Sequence, residues 1–146
     1  MIELRPAGVA DLALVLPRTR ALNDHEGIAV SDADLTHALG VLLGDASLGA
    51  VWLIERAGGV IGYAIATYCY DLEFGGREAW LTEIWIDEPA RGGGAGREAL
   101  ALVEAALRAR GVRALHLQVR ADNPAARLYA RMGFTAVPRT IMSRRL

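Results

Sequence analysis

The feature that most constrains the fold is a glycine-rich loop that separates an apolar strand pattern from an amphipathic helix pattern. Residues 79–87 are almost all apolar and include β-branched and aromatic side chains, as expected of a strand buried on both faces. The loop that follows, at residues 91–96, has the sequence Arg-Gly-Gly-Gly-Ala-Gly. A loop with so few side chains lets a ligand reach the main chain, and the helix after it directs free N–H groups toward the loop. The sequence therefore predicts a binding site for a phosphate or diphosphate group.

One residue does not fit a strand that is buried on both faces. Glu83 lies in the middle of the apolar run, and burying a lone carboxylate costs roughly several kcal/mol. The cost is offset if an arginine pairs with the carboxylate, or if the protein keeps the carboxylate for its chemistry. Both interpretations are open from the residues alone.

Patterns along the rest of the chain predict an α/β protein with a mixed sheet, formed as a single domain over residues 1–146. The Gly58-Gly59 pair between apolar runs is typical of a β-hairpin turn, so the early strands should be antiparallel. The strand before the glycine loop, the helix after it and the next strand form a βαβ unit, so those strands should be parallel. Six to seven strands are expected, at residues 2–5, 50–57, 60–70, 79–87, 113–119, 134–137 and 140–143, with four helices at 12–22, 31–44, 97–110 and 125–132.

Composition and charge exclude several classes of partner. The net charge of −1 gives no basis for binding nucleic acid or an anionic membrane. No apolar run is long enough to span a bilayer, and the N-terminus lacks the pattern of a signal peptide. The single cysteine, Cys69, cannot form an internal disulfide, and the histidines lack metal-ligand spacing. We therefore expect a cytoplasmic protein without a metal site.

Two motifs resemble the signatures of the GNAT family of N-acetyltransferases. The first is R-x-x-G-x-G, formed by Arg91, Gly94 and Gly96 directly after an apolar strand. The second is N-P-A-A-R-L-Y-A-R-M-G-F at residues 123–134, with Leu-Tyr inside a short helix and Gly-Phe closing it. The two motifs stand in the family's order, and the predicted elements follow the family's layout over essentially the whole chain.

The resemblance implies that the chain binds acetyl-coenzyme A (acetyl-CoA) as a cosubstrate and transfers its acetyl group. In the family, the glycine loop holds the coenzyme's diphosphate, and main-chain N–H groups of the preceding strand bind the pantetheine arm. Without the family motif, Arg91 is also compatible with a solvated loop cation, and Asn123 with a simple helix cap. The coenzyme-binding residues implied by the resemblance are Ile84, Trp85, Ile86, Arg91, Gly92, Gly93, Gly94, Ala95, Gly96, Arg97, Asn123, Ala126 and Tyr129.

The catalytic residues implied by the resemblance are Tyr129 and Glu83. Acetyl transfer to an amine needs a base for the amine, donors for the tetrahedral oxyanion and an acid for the departing thiolate. Tyr129 resembles the family's general acid, although helical spacing alone favours a core tyrosine with a satisfied hydroxyl. Glu83 is the candidate base, acting directly or through a water molecule.

The acceptor is suggested by a second resemblance, at residues 63–86, to the diamine and thialysine acetyltransferases. There too, an aromatic-rich strand, an acidic turn and a glycine precede the catalytic strand. The similarity implies a cationic small-molecule amine, such as a polyamine or an amino acid. The acceptor-binding residues would be Glu26, Asp71, Glu73 and Glu83.

Two observations bear on this acceptor assignment. The diamine and thialysine enzymes carry two adjacent acidic residues in the catalytic strand, whereas this chain has Thr82 and Glu83. One carboxylate is therefore missing. Asp71 and Glu73 are also compatible with solvated charges of a turn.

Two other functions compete with catalytic acetyl transfer. Gly94, Gly96 and Ala99 fit the dinucleotide-binding fingerprint, and Arg120 could meet a 2′-phosphate. However, that fingerprint should begin directly after the strand, and the chain offers only one βαβ unit. The other alternative is a GNAT-shaped module that binds acyl-CoA without catalysis. Relatives in the family often form homodimers, so a homodimer is expected here as well.

Overall fold

The structure is a computed structural model that describes all 146 residues. The strands are β1 (Ile2–Pro6), β2 (Gly49–Arg56), β3 (Gly59–Asp71), β4 (Gly76–Ile86) and β5 (Leu115–His116). The α-helices are α1 (Leu12–Glu26), α2 (Asp32–Gly44), α3 (Ala95–Ala109) and α4 (Ala125–Arg131). Short 3-10 turns lie at Val9–Asp11, Leu72–Phe74 and Glu88–Ala90.

The strands form one five-stranded sheet in the order β1-β2-β3-β4-β5. The pairs from β1 to β4 are antiparallel, and β4 pairs with β5 in parallel. The predicted mixed sheet, with its single parallel pair, is therefore confirmed. The order also excludes the dinucleotide-binding alternative, because that fold requires a mainly parallel sheet.

The expected hairpin joins β2 and β3, with a small shift in its turn. Arg56 pairs with Gly59, so the two-residue loop is Ala57-Gly58 rather than Gly58-Gly59. Ala57 and Gly58 have φ values of 51° and 78°, the left-handed pair that a tight turn between twisted strands requires.

The prediction of six to seven strands is wrong at the C-terminal end. The strand expected at residues 113–119 is reduced to Leu115–His116, and none forms at residues 134–137 or 140–143. Within residues 135–146 the one backbone hydrogen bond runs from Arg139 N to Val137 O, and Pro138 has no N–H to give. Phe134 packs against the hydrophobic core under α3, and the side chains of residues 135–146 are exposed, without a neighbouring strand.

The sheet carries a separate core on each face. Ala99, Leu100, Val103 and Leu107 of α3 pack with Trp52 and Ile54 of β2 on one face. Val15 of α1 and Leu39 of α2 pack with Leu53, Tyr63 and Ile65 on the other. We call these the α3 face and the α1 face. None of the helices has the length and apolar character needed to cross a membrane.

A β-bulge interrupts the pairing of β3 with β4. Ile65 lies opposite Glu83, but its neighbour Ala66 lies opposite Leu81, so Thr82 has no partner residue. The extra residue reverses the alternation of side chains along β4. Leu81 and Ile84 both pack on the α3 face although they are three positions apart, and Trp85 packs on the α1 face. Bulges also bend a strand and increase its twist.

Candidate active site

A deep cleft opens where β4 and β5 separate. The parallel pairing is limited to Ala79 with Leu115 and Trp80 with His116. Beyond these pairs, residues 81–86 of β4 form one wall and residues 117–120 another, around a cleft of about 1450 Å³. The rest of the lining comes from four helices: the C-terminal end of α1, the N-terminal ends of α2 and α3, and α4. A divergence of parallel strands therefore creates the site, with the bulge at Thr82 on its β4 side.

Main-chain groups of β4 face this cleft. Asp87 N donates to Ile61 O at 2.8 Å, so the main-chain groups of Asp87 point toward β3. Since peptide groups alternate along an antiparallel strand, those of Trp85 also point toward β3, and those of Ile84 and Ile86 point away from it. Arg91 Nε confirms this by donating to Ile86 O at 2.9 Å from the cleft side. Ile84 and Ile86 can thus offer N–H groups to a ligand, whereas the N–H of Trp85 cannot.

The glycine loop forms an open cradle at the start of α3. Gly92, Gly93 and Gly94 have φ values of 83°, 60° and 84°, so all three occupy the left-handed region that other residues avoid. No atom lies within 4 Å of where a Cβ would be on any of them. Gly94 is the N-cap of α3, and no side chain caps the helix. Ala95 N donates to Gly92 O at 3.4 Å, whereas the N–H groups of Gly96 and Arg97 have no backbone partner and are free for an anion.

The second motif packs directly against this cradle. A Cβ at Gly96 would lie at an ordinary contact distance of 3.9 Å from Leu128 of α4, so the first turn of α3 lies against α4. Asn123 Oδ1 accepts from Ala125 N at 2.9 Å and closes the first turn of α4, as predicted for a cap. Both motifs line the same cleft.

Arg91 lies at the mouth of the cleft, stacked on an aromatic ring. Its guanidinium carbon is 4.5 Å from the ring centroid of Trp85, and its Nε bonds Ile86 O. His25 approaches the same ring edge-on at 6.1 Å. The terminal nitrogens of Arg91 bond no protein group, so the stacked guanidinium can still bind a phosphate.

Glu83 lines the cleft and is not paired with an arginine. Its Oε1 accepts a hydrogen bond from the hydroxyl of Tyr63 at 3.1 Å. Burial raises the pKa of the Glu83 carboxyl above its usual range, and the bond from Tyr63 opposes part of that rise. The buried ion pair considered for Glu83 is therefore absent, and burial makes the carboxylate a stronger proton acceptor than an exposed one.

Tyr129 on α4 also lines the cleft, half-buried against the core of the α3 face. Its ring meets Phe134 edge-on at 5.9 Å, which fixes the ring, and its hydroxyl bonds no protein group. Burial, and then the negative charge of Glu26, raise the pKa of Tyr129. The phenol therefore stays protonated at neutral pH with its proton free to be donated.

The acidic side chains predicted for acceptor binding separate into two groups. Glu26 and Glu83 line the cleft, but Asp71 and Glu73 lie outside it. Asp71 accepts from Glu73 N at 3.0 Å, and Glu73 pairs with Arg139 at 3.0 Å. These two carboxylates therefore hold a turn and the C-terminal segment, which agrees with the alternative view of them as turn charges.

Most of the predicted coenzyme-binding residues line the cleft, with Gly93 and Ala126 as exceptions. Sequence reasoning missed the contribution of α2, whose Asp34 and Leu35 also line it. Asp34 lies in the first turn of α2, where its N–H donates to Ser31 Oγ at 3.1 Å and the helix is capped. Its place in the sequence is explained by this cap, so the sequence pattern does not indicate a binding role. No group of His, Cys, Asp or Glu side chains is arranged to hold a metal ion.

A cleft at diverging parallel strands, with a glycine cradle beneath a helix N-terminus, defines a protein that binds a coenzyme through its diphosphate. The model of the acetyltransferase (GNAT) family matches residues 19–134, and the chain belongs to this family. Among curated proteins, no sequence matches it.

Solved structures with the same fold cover nearly the whole chain. An integron cassette protein from the mobile metagenome of the Cole Harbour salt marsh is 27% identical, with a TM-score of 0.85 over 98% of this chain and 90% of that one. A possible acetyltransferase from Clostridium difficile 630 is 19% identical, with a TM-score of 0.88 over 100% and 98%. A predicted acetyltransferase from Clostridium acetobutylicum, solved with acetyl-CoA, is 22% identical, with a TM-score of 0.78 over 99% and 96%.

As a family member, the protein is an acetyl-CoA-dependent N-acetyltransferase with acetyl-CoA as its cosubstrate. The residues present fit that coenzyme, since the open glycine cradle leaves main-chain N–H groups of α3 for a diphosphate. When bound, the coenzyme would supply an activated acetyl group.

Proposed function

We propose that the protein transfers the acetyl group of acetyl-CoA to a primary amine of a small cationic molecule, such as a polyamine or an amino acid. The observation that carries this proposal is the charge of the cleft away from the glycine cradle. Carboxylates of Glu26, Asp34 and Glu83 line it from three different elements. Outside the glycine cradle the lining also contains Arg131 and Arg120, the latter bonded to Asp122. Carboxylates from three elements attract a cation and disfavour an anionic acceptor.

The coenzyme lies, in this proposal, along the cleft from the glycine cradle to Glu83. The N–H groups of residues 92–97, together with Arg91, bind the diphosphate. The N–H groups of Ile84 and Ile86, which face away from β3, bind the pantetheine arm and polarise the thioester carbonyl. Asn123 and Tyr129 contact the coenzyme from the side of α4.

Glu83 and Tyr129 divide the proton transfers between them. Glu83 takes a proton from the acceptor ammonium, directly or through one water molecule, so that the amine nitrogen attacks the thioester carbonyl carbon. The carbon–sulfur bond of the tetrahedral intermediate then breaks. Tyr129 gives its proton to the departing thiolate, which leaves as coenzyme A and frees the amide product. The attacking nitrogen still carries one proton more than the amide, and it loses this proton as the intermediate collapses, which restores the proton of Tyr129. Two protons therefore leave the ammonium nitrogen: one ends on the sulfur of coenzyme A, and the one taken by Glu83 is released to solvent.

Two carboxylates favour an acceptor with a second positive charge. Glu26 ends α1 and also lines the cleft, and its charge contributes to the raised pKa of Tyr129. An acceptor with two amines could place one at Glu83 and the other at Glu26 or Asp34. This supports the kinship with the diamine and thialysine acetyltransferases that the sequence suggests, although Thr82 replaces one of their carboxylates.

The test is a screen of coenzyme A release from acetyl-CoA over diamines, polyamines, lysine analogues, neutral amino acids and peptide N-termini. Acceptors with two cationic groups should give the highest kcat/KM. Glu26→Gln should raise the KM of a diamine by about fivefold and leave that of a monoamine unchanged, as expected for a partly exposed charge pair. Glu83→Gln should lower kcat with every acceptor by about 10²-fold.

Glu73→Gln is the matched control, because this carboxylate pairs with Arg139 outside the cleft. It should leave every acceptor's KM unchanged. A preference for neutral amino acids or peptide N-termini would contradict the cationic acceptor. Full turnover in Glu83→Gln would remove Glu83 from the role of base.

A further inference from the structure

Tyr63 is a buried residue for which the proposed chemistry has no direct use. It lies in β3 opposite Trp85, with 0% of its surface exposed. Its hydroxyl has one hydrogen-bond partner, Oε1 of Glu83, at 3.1 Å. A phenylalanine would fill the same space without needing a partner, so the hydroxyl itself requires an explanation.

The bulge in β4 brings these two side chains together. With regular alternation, Glu83 would share the α3 face with Leu81, away from Tyr63. Because Thr82 is inserted as an unpaired residue, Glu83 pairs with Ile65 and turns to the α1 face, where Tyr63 lies. The contact therefore depends on an irregularity in the strand, which families retain when it re-aims a side chain.

The hydroxyl of Tyr63 can only act as a donor toward Glu83. Burial, followed by the negative charge of Glu83, raises the pKa of Tyr63 far above its ordinary value, so the phenol is not ionised in the working range. A neutral phenol that donates to a carboxylate stabilises the ionised carboxylate relative to the protonated acid. Burial acts on Glu83 in the opposite direction.

No other titratable group bonds to Glu83, although several line the same cleft. They come from every element around it and could only act on Glu83 from a distance. They are His25 and Glu26 of α1, Asp34 of α2, Arg97 of α3, Tyr129 and Arg131 of α4, and Arg91 and Arg120 of the loops.

We propose that Tyr63 is a positioning residue, whose buried hydroxyl orients the Glu83 carboxylate in the cleft and keeps it ionised and ready to accept a proton. This inference rests on the proposed role of Glu83 as the base. Tyr63 acts through Glu83, so its removal should change the pH at which the enzyme works more than its affinity for acetyl-CoA.

The experiment compares pH profiles of kcat/KM for the wild-type enzyme, Tyr63→Phe and Glu83→Gln with the best amine acceptor. Loss of one hydrogen bond to the charged form should raise the pKa of Glu83. The acid limb of the profile, where kcat/KM falls as the pH is lowered, should therefore move to higher pH by about one pH unit. Glu83→Gln should lack that limb, which identifies it as the limb of Glu83. The KM for acetyl-CoA should stay within about twofold in Tyr63→Phe.

Two further variants keep the result interpretable. Tyr68→Phe is the matched control, because Tyr68 lies on the same strand but packs on the α3 face. Its acid limb should coincide with that of the wild-type enzyme. If Tyr63→Phe does not fold, 3-fluorotyrosine placed at position 63 keeps the ring and makes the hydroxyl a stronger donor, so the limb should move to lower pH.

The outcomes distinguish the two proposals. In one outcome, Tyr63→Phe has a lowered melting temperature but an unmoved acid limb, and Glu83→Gln has lost the limb. This outcome would keep Glu83 as the base and overturn the role of Tyr63. An unmoved limb in the 3-fluorotyrosine protein would overturn it in the same way. Unchanged turnover in Glu83→Gln would remove the base, and the inference about Tyr63 with it.

Discussion

Replacing Tyr129 with phenylalanine removes one oxygen atom from the cleft and little else. The ring that contacts Phe134 and the core of the α3 face is retained. The hydroxyl bonds no protein group, so its loss leaves no buried partner unsatisfied. The free energy of unfolding should therefore change by less than about 1 kcal/mol.

The effect on turnover should be much larger. General acid catalysis typically contributes 10²–10⁴-fold, so kcat should fall by about 10²-fold or more in Tyr129→Phe. That corresponds to roughly 2.7 kcal/mol of lost transition-state stabilisation. Affinity for acetyl-CoA should be nearly unchanged, because in the proposed arrangement the glycine cradle and the N–H groups of β4 make most of the contacts with the coenzyme and the ring of Tyr129 is retained. The raised pKa of Tyr129 also predicts that the wild-type enzyme loses activity with rising pH only above about pH 10.

The measurement is single-turnover acetyl transfer at saturating acetyl-CoA, with coenzyme A release followed by a thiol-reactive dye. Single-turnover conditions prevent slow product release from hiding the chemical step. Tyr70→Phe serves as the control, since Tyr70 is 75% exposed on β3 and lies outside the cleft. A single-turnover rate within threefold of wild type for Tyr129→Phe, with full folding, would refute the acid role and return Tyr129 to a core tyrosine.

Three other predictions follow from the architecture. Coenzyme A at about 100 times its Kd should stabilise the fold by about 2.7 kcal/mol and raise the melting temperature by roughly 5–10 °C. NADPH should leave the melting temperature unchanged. The reverse result in differential scanning fluorimetry would contradict the assignment of the glycine cradle to coenzyme A. Arg18 of α1 donates hydrogen bonds of 2.6 and 3.1 Å to the carboxylate of Asp87, just before that cradle. Arg18→Met should therefore lower the free energy of unfolding in urea by about 1–3 kcal/mol. It should also raise the KM of acetyl-CoA more than it lowers kcat. A free energy of unfolding equal to that of the wild-type protein would mean that the Arg18–Asp87 ion pair contributes nothing to stability. The expected homodimer has a candidate surface in the exposed Ile141 and Met142. Sedimentation of the wild-type protein should give twice the monomer mass, and the double variant with Glu at both positions should give the monomer mass. A monomeric wild-type protein would contradict the expectation.

The parts of the fold that could be predicted from sequence are those set by local chemistry. The glycine turns, the Ser31 cap and the amphipathic α3 follow from backbone freedom, a side-chain hydrogen bond and apolar periodicity, each acting over a few residues. The parallel pairing of β4 with β5 follows from the single crossover helix between them. The C-terminal strands were predicted from apolar content alone, which cannot supply the neighbouring strand that a ladder requires.

The candidate site was predicted unevenly, for a related physical reason. The cradle and Tyr129 belong to contiguous motifs, so their placement needs only local structure. Asp71 and Glu73 were grouped with Glu83 because all are acidic and near in sequence, yet Arg139, from the distant C-terminal segment, holds Glu73 outside the cleft. Charge identifies candidate ligands, but only the tertiary fold decides which of them face the same space.

The bulge at Thr82 explains why the environment of Glu83 could not be predicted from the apolar pattern. An all-apolar strand gives no polar alternation from which to assign faces, and a strict period of two would assign Glu83 to the face of Leu81. The inserted residue instead places Glu83 beside Tyr63 and leaves Ile84 and Ile86 with main-chain groups toward the cleft. The same irregularity bends β4 where its pairing with β5 ends. One extra residue therefore accounts for the orientation of Glu83 and for the outward N–H groups of Ile84 and Ile86, and it lies next to the point where β4 and β5 diverge.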